Sequence, residues 1–96
     1  MLGFRSKPAK MAPSELVRRG AVLLDVRTRE EFASGHLPGA RLLPLDELEQ
    51  RAHELGSSGQ PIVVYCRSGR RSAIAASLLK RHGLQVEDLG AISNWR

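Results

Sequence analysis

Two runs, AVLLDV at 21–26 and PIVVYC at 61–66, restrict what this chain can become more than any other feature. The first is continuously apolar and too short for a helix, as a strand buried on both faces should be. The second is rich in Val, Ile and Tyr, the residues that suit a pleated, covered surface. Polarity returns at Asp25 and Arg27 after the first run and at Cys66 and Arg67 after the second. Each run is followed at once by a helix signal, and that alternation predicts an α/β domain with a mainly parallel sheet.

The segments between the runs carry their own punctuation. SELVRRG, 14–20, reads as a short helix with Ser14 as N-cap and Gly20 as its stop. Thr28 with Glu31 three residues later fits a capping box, and Gly35 closes that helix. Pro38 and Gly39 force a turn before a second short strand, ARLLPL at 40–45, which Pro44 ends. Asp46 with Glu49 suggests a further capping box, for a helix whose Leu45, Leu48, Ala52 and Leu55 recur at helical spacing. GSSGQP, 56–61, is loop. The clearest helix spans 70–83, with Ile74, Ala75, Leu78 and Leu79 expected on its core face and Gly83 as its stop. LQVEDLG, 84–90, alternates as a last strand, and AISNWR makes a final turn. Residues 1–10 form a basic, frayed lead, which leaves one domain over 11–96.

Composition excludes several classes. Fifteen Lys and Arg against ten Asp and Glu give a net charge of +5, which favours anionic partners. The basic residues are scattered and lack an aromatic platform, so a nucleic-acid partner is not expected. The single cysteine leaves no internal disulfide and no cysteine-cluster metal site. His36, His53 and His82 lack ligand spacing, so neither metal nor other cofactor is expected. No stretch approaches the roughly 20 apolar residues that span a bilayer, and the N-terminus has no signal-peptide core, so the expected location is the cytoplasm.

The lone thiol stands where chemistry is expected. In parallel sheets ligands bind beyond the C-terminal strand ends, and Cys66 ends its strand just before a helix begins. Arg67, Ser68, Gly69, Arg70, Arg71 and Ser72 follow it. A strand-to-helix turn with a central glycine can curl its backbone N–H groups inward as an anion-binding nest, and the helix adds its positive end. The three guanidiniums add full charge, whichever of them face inward. A free thiol has a pKa of about 8.5, and such surroundings lower it, which makes Cys66 a thiolate nucleophile. No histidine lies near in sequence, and distant His36 is the one geometric possibility for a base. Asp25 and Arg27, at a neighbouring strand end, share the same rim. A structural role fits them best, with Asp25 accepting from loop groups and Arg27 pairing with Glu31.

LLDVRTREEFASGHLPGA, VVYCRSGRRSAIAASLL and LGAISNW, in that order, resemble the three signatures of single-domain rhodaneses, which are sulfurtransferases, over nearly the whole chain from about residue 11. Ala91 stands where that pattern has its second glycine. The resemblance implies a small three-layer domain with helices on both faces of the sheet. It also implies a Cys66 persulfide that takes sulfur from thiosulfate or a related donor and passes it to cyanide or a thiol. The N–H groups of residues 67 to 71 would hold the persulfide, with Arg67 and Arg71, and less so Arg70, on the donor anion, and with Ser72, Asp25 and Arg27 in support. A sulfur-relay or regulatory module acting on a protein acceptor is the second reading. A phosphatase or arsenate reductase of related fold is the weaker third, because those relatives place five residues between Cys and Arg where this chain places four.

Overall fold

A computed structural model describes residues 11–56 and 59–96. The basic lead expected over residues 1–10, and the two central serines of the GSSGQP loop, lie outside the described residues. Four strands, β1 (Val22–Asp25), β2 (Arg41–Leu42), β3 (Ile62–Cys66) and β4 (Val86–Ala91), form one sheet in the order β2-β1-β3-β4. Every pairing is parallel, with Leu24 opposite Val64 and Asp25 opposite Tyr65. Helices α1 (Pro13–Arg18), α2 (Arg29–Ala33), α3 (Leu45–Arg51) and α4 (Arg70–Arg81) fill the connections.

Strand parity divides the core. Leu24, Val26, Ile62, Val64 and Cys66 point to one face, where Leu48 of α3 and Ala75, Ala76 and Leu79 of α4 cover them. Ala21, Leu23, Val63 and Tyr65 point to the other, under Leu16 and Val17 of α1, with Leu37, Ile92 and Trp95. All five residues of β3 are buried, which is why that run carries no polar alternation. Each such Leu, Ile or Val contributes about 1.5–3 kcal/mol through burial, so the central strand with its two layers is the main stabilising unit. The expected three-layer, parallel architecture is what the chain forms.

Some local expectations are corrected. Helix α1 starts at Pro13, and its N-cap is Ala12 rather than Ser14. Proline's fixed φ suits the first helical position, and the freed Ser14 N–H donates to the Arg96 carbonyl at 3.1 Å. Helix α3 begins one residue before Asp46, after Pro44, without a side-chain cap. Asp46 therefore lies inside the first turn, where its charge meets the helix dipole instead of closing a box with Glu49. The Thr28–Glu31 box does form, with Glu31 N–H donating to Thr28 Oγ1 at 3.1 Å and Thr28 N–H to Glu31 Oε1 at 2.9 Å. On α4 the core face is Ser72, Ala75, Ala76 and Leu79, while Ile74 is 52% exposed. No helix among the described residues is long and apolar enough to cross a membrane.

Candidate active site

Cys66 is the last residue of β3. The turn Arg67–Gly69 then leads into α4, and Gly69 sits at its N-cap with φ 103°. That left-handed conformation is cheap only for glycine, and it turns the Gly69 N–H back towards the strand end. The N–H donates to Cys66 Sγ at 3.0 Å. From the first turn of α4 the Ser72 N–H donates to the same sulfur at 3.3 Å. Ser72 is buried, and its Oγ lies 3.2 Å from the Gly69 carbonyl, which shares with Cys66 Sγ the single hydroxyl proton. A Cβ on Gly69 would stand 3.7 Å from Gly90 Cα, so the loop rests against the end of β4. Ala91 has φ −73°, open to any residue, so alanine there costs no strain.

Burial is the largest single influence on the thiol and pushes its pKa up. The Ser72 side chain and N–H, with the N–H groups of Gly69 and Ser68, outweigh it and hold Cys66 below the ordinary thiol value. The sulfur is also enclosed: Cys66 has 0% exposure and packs with Val26, Leu43 and Ala76 in the larger core cluster.

The arginines separate into distinct roles. Arg67 and Arg70 are exposed. Arg71, expected on the donor anion, gives both terminal nitrogens to the Glu31 carboxylate, at 2.7 and 3.0 Å. Arg27 does not pair with Glu31. Its Nε donates to Asp25 at 3.0 and 3.1 Å, its Nη2 to Asp25 at 2.8 Å and to the Gly35 carbonyl at 2.7 Å. The Asp25 carboxylate thus accepts from Arg27, with its N–H also at 2.9 Å, and not from the thiol loop. Parity explains this: Asp25 alternates with Leu24 and Val26, so it lies on the Tyr65 face, opposite Cys66. Arg27 follows it there, with Cζ 5.7 Å from the Tyr65 ring centre.

Tyr65 carries no local motif that marks it, although a tyrosine inside a strand covered on both faces must find a partner for its hydroxyl. The hydroxyl accepts the Leu37 N–H at 3.1 Å and so pins the turn before β2. Burial pushes its pKa up to about 12. His36 stacks on Phe32 with ring centres 3.6 Å apart, and its Nδ1 lies 2.9 Å from the Phe32 carbonyl, which ties it to α2. Two clefts flank the loop. One of about 330 Å³ is lined by Arg27, Glu31, Gly35, Arg67 and Ile92. The other, of about 280 Å³, is lined by Val26, Arg27, Pro44, Leu45 and Arg71. Among the described residues no group of three or more His, Cys, Asp or Glu could hold a metal ion.

The fold and this site define a parallel α/β domain with a thiol seated in a strand-to-helix amide loop. The chain belongs to the rhodanese-like domain family, which it matches over residues 11–96. It is 43% identical over 79 residues to the uncharacterized protein YqhL of Bacillus subtilis, covering 80% of this chain. It is 33% identical over 73 residues to the thiosulfate sulfurtransferase PspE of Escherichia coli, covering 74% of this chain and 70% of PspE. The human single-domain sulfurtransferase TSTD1 superposes with a TM-score of 0.72 at 31% identity, over 85% of this chain and 86% of that one. The chain spans 62% of YqhL's length and 34% of that of a second B. subtilis relative, YrkF.

Proposed function

We propose that this chain is a sulfurtransferase that carries a sulfane sulfur on Cys66 from thiosulfate, or a related small anionic donor, to cyanide or a thiol. The observation that carries this reading is the convergence of the Gly69 and Ser72 N–H groups on Sγ at 3.0 and 3.3 Å. Donors aimed at the anion favour thiolate over thiol, and they serve a persulfide equally well.

The chemistry is two displacements. The Cys66 thiolate attacks the outer sulfur of thiosulfate, an Sγ–S bond forms, and the donor's S–S bond breaks with its electron pair leaving on sulfite. Cyanide or an acceptor thiolate then attacks the outer sulfur of the persulfide, and Cys66 departs as the thiolate that the same N–H groups receive. Neither step requires a proton to be delivered, which fits a site where His36, the candidate base, is engaged with Phe32. Exposed Arg67 and Arg70 draw the donor dianion by long-range attraction. A loop with four residues between Cys66 and Arg71 makes a cradle sized for sulfur rather than tetrahedral phosphate. PspE and TSTD1, by their names, are sulfurtransferases, which supports the same reading.

A protein thiol as acceptor is the second reading, favoured by the likeness to YrkF, by its name a putative sulfur carrier protein. Treatment with thiosulfate followed by mass spectrometry tests the proposal. The expected result is one added sulfur on the Cys66 peptide, matched by released sulfite and absent in Cys66→Ser. No adduct from thiosulfate or mercaptopyruvate would shift the function to protein relay. Hydrolysis of an aryl phosphate, lost in Cys66→Ser, would replace it with a phosphatase.

A further inference from the structure

The position of Glu31 is set by α2, independently of the thiol loop. Its Oε1 accepts the Thr28 N–H at 2.9 Å as the N3 member of the capping box. The same carboxylate holds the Arg71 guanidinium at 2.7 and 3.0 Å, across 40 residues of sequence. Arg71 belongs to the first turn of α4, beside Ser72, whose N–H touches the sulfur. The Arg71 side chain is 32% exposed and that of Glu31 24%. Arg67 and Arg70 are exposed and their charge is screened by solvent, whereas that of Arg71 is shielded least of the three.

From this placement we infer that Glu31 is a specificity-determining positioning residue, cancelling the Arg71 charge beside Cys66 and thereby setting how strongly the site prefers doubly charged over singly charged reactants. The inference rests on the sulfurtransferase reading for its biological meaning. A cradle with Arg71 uncompensated would bind the thiosulfate dianion more tightly, but it would hold the sulfite dianion equally well. Binding gained by substrate and product alike lowers KM without raising kcat, and it slows release. The Glu31–Arg71 pair keeps the loop weakly positive, enough for the amides to dominate.

Glu31→Gln isolates the charge, because glutamine at N3 also closes a capping box. The first readout needs no sulfur transfer: the ratio of Cys66 alkylation rates by iodoacetate, an anion, and iodoacetamide, a neutral reagent of the same shape. That ratio is expected to rise about three-fold or more in Glu31→Gln, as one uncompensated charge in a partly solvated site requires, and to stay at the wild-type value in Glu31→Asp. Arg71→Gln, which leaves Glu31 uncompensated, should lower the ratio and serves as the reciprocal variant if Glu31→Gln does not fold. With thiosulfate against an alkanethiosulfonate monoanion, Glu31→Gln should lower KM more for the dianion than for the monoanion, with stronger inhibition by sulfite. An unchanged or lowered alkylation ratio in folded Glu31→Gln overturns the inference, as does a raised ratio in Glu31→Asp. Failure of wild type to accept sulfur from either donor would remove the small-donor reading while leaving the alkylation result to decide the role of Glu31.

Discussion

Arg27 lies two residues after Asp25 on one side of an extended chain, and the two side chains close on each other in a buried pair, 8% and 0% exposed. The pair is satisfied at both ends: Asp25 also takes the Arg27 N–H, and Arg27 also gives Nη2 to the Gly35 carbonyl. Removing either partner leaves an uncompensated charge in the interior, which costs about 3–5 kcal/mol. Asp25→Ala and Arg27→Ala should each lose that much in urea unfolding, with the double variant well short of the sum. Because the pair faces Tyr65 and not Cys66, the alkylation midpoint of the thiol in the folded single variants should stay near wild type. A large change in that midpoint would show that the pair acts on the sulfur.

How far the sequence reveals the molecule depends on the range of each interaction. β3 was legible because burial on both faces leaves a signal in the composition of the strand itself, Ile62 through Tyr65. The Thr28–Glu31 box was legible because both partners lie within one turn. The exchange of partners at the rim was not. Pairing Arg27 with Glu31 is reasonable at a spacing of four, but strand parity puts Asp25 beside Arg27 and the fold brings Arg71 to Glu31. Nor does the string of residues disclose that a cysteine followed by three nearby arginines is wholly enclosed, since that depends on how the loop settles against Gly90.

Gly69 is the backbone hinge of the sulfur cradle. At φ 103° an L side chain is strained by about 1–2 kcal/mol, although a Cβ would find ordinary contacts, the nearest at 3.7 Å. Gly69→Ala should therefore lower stability by about that amount and, by turning its N–H off Sγ, slow Cys66 alkylation at neutral pH. Hydrogen bonds to charged groups are worth about 1.5–3 kcal/mol, so a loss of about ten-fold in rate is expected. A variant destabilised to that extent with unaltered alkylation would mean that the Ser72 N–H alone holds the anion.

The pH dependence has two signs to separate. Burial pushes the Cys66 thiol up, yet Ser72, Gly69 and Ser68 bring it below its ordinary value, so alkylation should show a midpoint lower than that of a free thiol, about 8.5. Between the two values the unfolded chain holds a proton that the native chain has lost, so stability from this group is full above the unfolded value and fades as pH falls through the native one. Ser72→Ala, which removes the largest of the lowering influences, should move the midpoint up. Glu31 is held at about 2, chiefly by the Arg71 hydrogen bonds and then by the Thr28 N–H. Its contribution is therefore present above the ordinary carboxylate value and lost as pH drops towards about 2, and Glu31→Gln should flatten that acid limb in a urea titration.

Helix α4 offers the sharpest comparison of pattern with packing. Ile74 and Leu79 both look like core residues by helical spacing, but Ile74 is 52% exposed whereas Leu79 is 0% exposed among Leu24, Leu48 and Val64. The helix turns Ser72 inward to serve the sulfur loop, and that rotation carries Ala75, Ala76 and Leu79 onto the sheet and lifts Ile74 to solvent. Leu79→Ala should cost about 2–5 kcal/mol, because the buried side chain leaves a cavity. Ile74→Gln should change stability by no more than about 0.5 kcal/mol, as an isolated surface substitution does. Matched unfolding curves for the two variants check this directly: comparable losses would mean that Ile74 is covered in solution and that α4 sits in a different rotation about its axis, which would also move the Ser72 N–H away from Cys66.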